Sequence, residues 1–218
     1  MCFSATASFI AGTGLSVLGV ATLRATRRRS EILFAAIPLI FGLQQMVEGV
    51  LWLSFRFDAP QLNLAMTYLF SMFSHVLWPI FVPFAIGLVE TVTWRRSVIW
   101  GFQGVGLLVG LYLLFLIVEF PVTAVVAENI VYVSPHFHKI PVMLLYVAAT
   151  CVSCFFSSIA TIRLFGLLAL LLFAVAYGFF AVALFSVWCF FAALLSAIIF
   201  VHFKFGWRGP ARWLGSVA

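Results

Sequence analysis

The sequence predicts an all-α integral membrane bundle of about seven transmembrane helices. Hydrophobic residues make up 65% of the 218 residues and charged residues only 8%, and the mean hydropathy is +1.22. Soluble globular domains do not carry so much apolar surface. The apolar residues form long runs, and basic residues cluster between alternate runs. Seven crossings of about 20 residues leave only short loops, so we expect residues 1–218 to form a single transmembrane domain.

The seven predicted helices follow the apolar runs in chain order. They lie near 4–23, 32–53, 62–89, 97–118, 141–160, 164–180 and 182–203. A break between the last two is predicted because about 40 unbroken apolar residues are too long for one crossing of a hydrocarbon core about 30 Å thick. The longest loop, 119–140, alternates Val, Ile and Tyr. We expect it to be extended and to lie over the bundle, as either a lid or a plain connector.

Basic residues are divided unevenly between the two ends of the predicted bundle. Ten fall at one end and two at the other: Arg24, Arg27, Arg28, Arg29, Arg95, Arg96, Arg163, Lys204, Arg208 and Arg212, against Arg56 and Lys139. The positive-inside rule therefore predicts an outer N-terminus and a C-terminus in the cytoplasm, in the cytoplasmic (inner) membrane. Glu90, at the inner end of the third helix, is expected to pair with Arg95 or Arg96. Short basic clusters of this kind do not indicate a nucleic-acid partner.

Small residues line one face of the first predicted helix. Ala5, Ser8, Gly12, Ser16 and Gly19 recur at spacings of three or four residues. Residues at this spacing share a helix face, and small side chains allow membrane helices to approach closely. The stripe predicts a tight helix–helix interface.

The second predicted helix carries the clearest candidate site. Glu48 lies in an apolar segment, where a charged side chain costs roughly 2.5 to 3.5 kcal/mol unless it is protonated or partnered. Gln44 shares its face, which continues to Trp52, and Gln45 lies beside it. Helical rise places Glu48 about 8 Å and Cys189 about 10 Å inside the outer ends of their helices. These residues predict a polar pocket in the outer half of the bundle; a bond that serves packing alone is the alternative.

Two residues before the first helix begin on the same outer side. Cys2 and Ser4 are candidates for covering the mouth of the pocket. If Met1 is removed, Cys2 presents an amine and a thiol together, and this pair could chelate a metal or supply a nucleophile. The alternative is that all four cysteines are small buried residues, as cysteines in apolar segments commonly are.

Histidines are the candidate metal ligands. His75 precedes Pro79 and Pro83, which favour a kink, and broken membrane helices border polar cavities. Helical rise puts His75 about 12 Å deeper than Glu48. His202 stands at the cytoplasmic end of the last helix. A histidine satisfied by neighbouring helices remains the alternative for His75.

Several stretches resemble an uncharacterised family of bacterial multi-pass membrane proteins. They are MCFSATASF at the N-terminus, PLIFGLQQMVEGVLW, WPIFVPFAIGLVE, YVAATCVSCFFSS and SVWCFFAALLSAIIFVHF. The resemblance covers most of the chain and implies no activity. It directs attention to the residues inside these stretches that carry polar or reactive groups: Cys2, Ser4, Gln45, Glu48, Trp188 and Cys189.

A weaker resemblance is to the seven-helix metal hydrolases that include alkaline ceramidases. Ser71 and His75 match the Ser-x-x-x-His pattern of that superfamily, whereas Ile198 stands where its His-x-x-x-His pair would place a histidine before His202. The resemblance implies zinc as a cofactor, with His75 and His202 among its ligands. A catalytic zinc site needs three protein ligands.

We favour a non-enzymatic membrane protein whose outer-half pocket binds or passes a small molecule, lipid or proton. An intramembrane hydrolase that uses a metal or a thiol is the first alternative. The second is an accessory subunit that packs its Phe-rich surface against a larger complex, and a homo-oligomer also stays open. The lipid bilayer is the expected partner in every case.

Overall fold

The protein folds as a helical membrane bundle, as the apolar runs predict. In the computed structural model, which describes residues 4–127, 129–134 and 140–206, the helices are α1 Ala5–Ala25, α2 Ile32–Arg56, α3 Pro60–Val89, α4 Thr93–Glu119, α5 Ile140–Phe155, α6 Ala160–Phe179 and α7 Leu184–Phe205. All of these except α5 are long and apolar enough to cross a membrane. The chain is therefore a multi-pass membrane protein. We call the end that holds the start of α1 outer and the opposite end inner.

A short antiparallel hairpin lies over the outer half of the bundle. Its strands are β1 Thr123–Val126 and β2 Ile130–Val133, paired with Ala124 opposite Tyr132. Ala124, Ile130 and Tyr132 of the hairpin pack in one cluster with Leu51, Phe70 and Cys189. Tyr132 stacks on Phe70 with ring centroids 4.4 Å apart. The predicted extended segment is confirmed for these residues, and the hairpin covers the region between α2, α3 and α7.

Helices α1 and α2 are packed backbone to backbone. A Cβ atom added at Gly42 would stand 2.6 Å from Oγ of Ser16, and one added at Gly19 would overlap the backbone of Leu39. Only glycine permits this approach. The predicted small-residue interface of α1 is therefore confirmed, and its partner is α2.

Helix α3 widens in its middle. Met72–Leu77 form π-helical turns. Pro79, two residues after them, has no N–H to donate, and its ring crowds the carbonyl of His75 one turn earlier. The carbonyl of Pro79 in turn lies against Gly106 of α4, where no Cβ would fit. A second π-helical stretch, Ala148–Val152, interrupts α5. The hydroxyl of Tyr146, just before it, donates a hydrogen bond to the carbonyl of Ser74 in the widened part of α3.

Glu90 fastens two turns together at the inner end. Its Oε1 accepts hydrogen bonds from the N–H groups of Thr91 and Val92 at 3.0 and 2.9 Å, and its Oε2 accepts one from the N–H of Ser158 at 2.6 Å. Burial alone would raise the pKa of the Glu90 carboxyl, but the hydrogen bonds from Ser158 and Val92 outweigh it and hold the pKa below its ordinary value. The turn between α3 and α4 is thus tied to the turn between α5 and α6.

The expected pairing of Glu90 with Arg95 or Arg96 is wrong for the part of the chain that the structure describes. Arg95 Nη1 instead donates to the carbonyl of Ser157 at 3.2 Å, and Arg163 Nη1 donates to the same carbonyl at 2.8 Å. The turn after α5 leaves carbonyl groups without helical partners, and arginine satisfies them. This turn also explains why α5 ends at Phe155, earlier than the predicted end at 160.

Candidate functional site

Glu48 is fully buried and is bonded to α7. Its Oε1 accepts a hydrogen bond of 2.6 Å from the hydroxyl of Ser186, in the first turn of α7. Cys189, nearly one turn further along α7, lies beside both Glu48 and Gln44. The structure therefore brings together Gln44, Glu48 and Cys189 of the predicted pocket, and the contact between α2 and α7 forms the centre of the site.

Gln44 is oriented by a tryptophan of α3. Its Oε1 accepts a hydrogen bond of 2.7 Å from Nε1 of Trp78, and the Trp78 ring stacks on Phe41 at 3.8 Å between centroids. Sequence reasoning did not select Trp78. The sequence does contain a signal for Trp78. A buried indole N–H needs an acceptor, and few side-chain acceptors occur in these apolar segments.

Gln45 is buried without any hydrogen-bond partner among the described residues, for both its amide oxygen and its amide nitrogen. The hydroxyl of Ser8 in α1 is also buried and lacks a partner there. Met46 packs at Gly12, so Ser8, one turn outward on α1, lies at about the level of Gly49. An unsatisfied buried polar group costs about 1 to 3 kcal/mol. Such groups in a native fold indicate a place for a ligand, an ion or water.

His75 approaches the same part of α7 as Glu48. Its Nδ1 is 2.7 Å from Oγ of Ser74, and its ring lies 4.2 Å from that of Phe185, which directly precedes Ser186. Helical rise alone placed His75 about 12 Å deeper than Glu48. The structure instead brings both side chains to adjacent residues of α7, because a count along each helix ignores helix tilt and the π-helical turns of α3.

A polar stripe runs along α3 from the outer end to His75. Asn63, Thr67 and Ser71 precede His75 at four-residue spacing and therefore share its face. Asn63 Nδ2 donates to Oγ of Ser54 on α2 at 3.1 Å. Thr67 and Ser71 are buried, and their hydroxyls lack hydrogen-bond partners within the described ranges. The stripe offers hydrogen-bonding groups at each turn through an apolar helix.

The stripe begins at an open groove on the outer end. The groove has a volume of about 700 Å³ and lies between the α2–α3 turn and strand β1. Asp58, Asn63, Thr67 and Thr123 are among the residues that line it. Polar groups therefore extend from the outer surface to the level of His75.

Residues 1–212 match the sequence family of unknown function DUF6629. The chain belongs to the family DUF6629. No curated protein and no solved structure matches it. The predicted membership of an uncharacterised family is thus confirmed over nearly the whole chain, while no resemblance to alkaline ceramidases is found. Membership of DUF6629 brings no activity, so any function must be argued from the site.

Trp188 of this DUF6629 protein lines a separate small cavity in the bundle. Its Nε1 donates to the carbonyl of Ala169 at 3.0 Å. The cavity has a volume of about 30 Å³, enough for one or two water molecules, and its wall includes Trp78, Tyr146, Cys151 and Cys189. Cys189 therefore stands between this largely apolar cavity and Glu48.

The remaining predicted site residues have other surroundings in the DUF6629 fold. Ser4 caps α1, because its Oγ accepts a hydrogen bond of 3.2 Å from the N–H of Ala7. Trp52 packs with the cluster beneath the hairpin, and its Nε1 lacks a partner within the described ranges. Cys2 lies outside the described residues.

His75 and His202 lie too far apart to share the zinc site that the weaker resemblance implied. His202 Nδ1 is 2.9 Å from Oγ1 of Thr161 at the inner end, whereas His75 contacts Phe185 at the outer start of α7. Seventeen residues of helix separate Phe185 from His202, about 25 Å at 1.5 Å per residue. Among the described residues, no group of three or more His, Cys, Asp and Glu side chains is placed to hold a metal.

Proposed function

We propose that this protein is a non-enzymatic membrane protein whose outer-half pocket around Glu48 binds or passes a small molecule, lipid or proton, and that a proton or small cation fits the pocket best. The observation that carries the proposal is a fully buried carboxylate held by a side-chain hydroxyl, close to the unbonded amide of Gln45. Ionisable groups inside a membrane mark ion and proton pathways. The proposal keeps the orientation that the basic residues predict, with the pocket in the outer half of the cytoplasmic membrane.

Charge favours a cation over an anion. No lysine or arginine occurs in 32–53, in 60–89 or in 184–203, the segments that supply the pocket from α2, α3 and α7. The groups available are a carboxylate, amide oxygens and hydroxyls, which are the ligands that hard cations and protons prefer. A bound anion would meet Glu48 without a compensating positive side chain from these segments.

Polarity favours a hydrogen-bonding ligand over an acyl chain. Gln45, Thr67 and Ser71 each bury polar atoms that lack partners in the described part of the chain. An apolar ligand would leave these atoms unsatisfied, at a cost that a hydrated ion or an ammonium group avoids. The stripe on α3 and the outer groove supply a route of the same polarity from the surface.

The test uses the purified full chain in lipid nanodiscs. Infrared difference spectra are recorded across steps in pH and after addition of sodium, potassium, ammonium or methylammonium chloride. We expect a protonated-carboxyl band that responds to pH or to at least one cation, and that is absent in Glu48→Gln. Glu119→Gln is the matched control, because Glu119 is an exposed carboxylate at the outer end of α4. If Glu48→Gln gives the same pH and cation response as the wild type, the proposal is wrong.

A further inference from the structure

A basic groove lies at the inner end of the bundle, far from Glu48. It has a volume of about 740 Å³ and is bounded by the end of α1, the turn into α2 and the end of α7. Four cationic side chains line it: Arg24, Arg27, Arg28 and Lys204. All four are exposed. A groove of this size is in the range of small-molecule sites.

The charge of the groove is largely uncompensated. Glu31 is the carboxylate among its lining residues, and within the described ranges no salt bridge joins it to any of the four cations. His202, on the wall, lies within hydrogen-bond distance of Thr161. Four positive side chains around one concavity produce a potential that attracts anions. Arginine is suited to phosphate in particular, because its planar donors bind two phosphate oxygens at once.

Phe203 lines the same groove, and two exposed apolar residues adjoin lining residues in the sequence. Ile32 directly follows Glu31 and is 44% exposed, and Phe205 directly follows Lys204 and is 71% exposed. Both stand at the inner ends of membrane-spanning helices, where the chain passes from hydrocarbon to the interface. A ligand seated among the cations would therefore have apolar surface next to it, which suits a molecule with both a phosphate and acyl chains.

We propose that the inner basic groove binds the phosphate headgroup of an anionic phospholipid, with the acyl chains against the neighbouring apolar side chains. Basic pockets between membrane helices at this level recognise acidic lipid headgroups. The site is separate from the Glu48 pocket, and neither proposal depends on the other.

The experiment measures binding of short-chain phosphatidylglycerol to the purified full chain in neutral detergent by native mass spectrometry. Phosphatidylcholine of the same chain length and inorganic phosphate are the comparison probes. We expect saturable binding of phosphatidylglycerol that weakens about fivefold for each groove cation neutralised, in Arg27→Gln and in Arg28→Gln. Arg96→Gln is the control, because Arg96 is exposed at the same end but does not line the groove.

Three results would overturn the proposal. Equal weakening in Arg96→Gln would show a general surface-charge effect. Equal binding of phosphatidylcholine would show that the groove does not select an anionic headgroup. Inorganic phosphate bound as tightly as the lipid would show a site for a free anion. The variants Arg27→Lys and Arg28→Lys retain the charge, so retained binding by them shows that losses in the glutamine variants come from charge and not from misfolding.

Discussion

Two buried glutamates of this protein are held in opposite ways. Glu90, at the inner end, accepts hydrogen bonds from three backbone N–H groups belonging to two turns. Glu48, in the outer half, accepts one from the hydroxyl of Ser186 and lies close to a Gln45 amide that has no partner among the described residues. Backbone donors are fixed by the fold, whereas hydroxyl and amide side chains can rotate toward a new partner. The comparison separates a carboxylate held by backbone donors from one that accepts from a side-chain hydroxyl, and we propose that the second of these meets the ligand.

The largest effect is expected at the fastening carboxylate. Glu90→Ala leaves three backbone N–H groups without their acceptor and should lower the free energy of unfolding by about 3 kcal/mol or more, since each such loss costs about 1 to 3 kcal/mol. Chemical unfolding in detergent measures it. Glu119→Ala, at an exposed position, should change stability by less than about 0.5 kcal/mol. Wild-type stability in Glu90→Ala would contradict the fastening role.

Acid should weaken the same contact. The pKa of Glu90 is lower in the folded protein than its ordinary value of 4.5, so its stabilising contribution is fully present above about pH 4.5 and is lost as the pH falls through the lowered folded value. Unfolding curves measured at a series of acidic pH values should therefore show wild-type stability falling more steeply than that of Glu90→Gln. If the stability of the two proteins falls in parallel, Glu90 does not contribute to the loss of stability in acid.

Glu48→Gln should cost little by comparison. The new amide oxygen can still accept the Ser186 hydrogen bond, and a neutral group avoids the penalty of a buried charge. We expect the free energy of unfolding to change by about 1 kcal/mol or less, while the pH and cation response of the infrared spectrum is lost. A loss of stability as large as that of Glu90→Ala would show that Glu48, like Glu90, mainly stabilises the fold.

The smallest change in the infrared response of Glu48 is expected at Ser186. Ser186→Ala removes one donor from Glu48 and should lower stability by about 1 kcal/mol while shifting the Glu48 infrared band. Ser196→Ala is the matched control on α7, because the hydroxyl of Ser196 donates to the carbonyl of Ala193 in its own helix. The same band shift in both variants would mean that Ser186 is not the partner that sets the state of Glu48.

The helices and the importance of Glu48 as a polar group inside the bundle could be predicted from the sequence. Membrane helices are specified by local apolar length, and the insertion cost of Glu48 identifies it without any tertiary information. Depth from the helix ends also placed Cys189 at the level of Glu48, and α2 and α7 do meet there. Both inferences use only distances along single helices.

Contacts that depend on tilt or on backbone donors could not be predicted. The donors to Glu90 are N–H groups of turns, which every residue except proline carries, so no residue pattern marks them. The contact of His75 with Phe185 depends on the tilt of α3 and on the π-helical turns in which His75 lies. Proline indicates that a helix is disturbed but does not give the direction of the chain beyond it.

The glycine contacts between α1 and α2 also determine which parts of the bundle can move. Because a Cβ at Gly42 would stand 2.6 Å from Oγ of Ser16, the two backbones lie closer together here than any larger residue would allow. We expect α1 and α2 to move as one unit, and this unit includes Glu48 on α2. If the outer half widens, we therefore expect the movement to come from the elements packed against this pair, such as α7 and the hairpin, and it would separate the stacked rings of Tyr132 and Phe70.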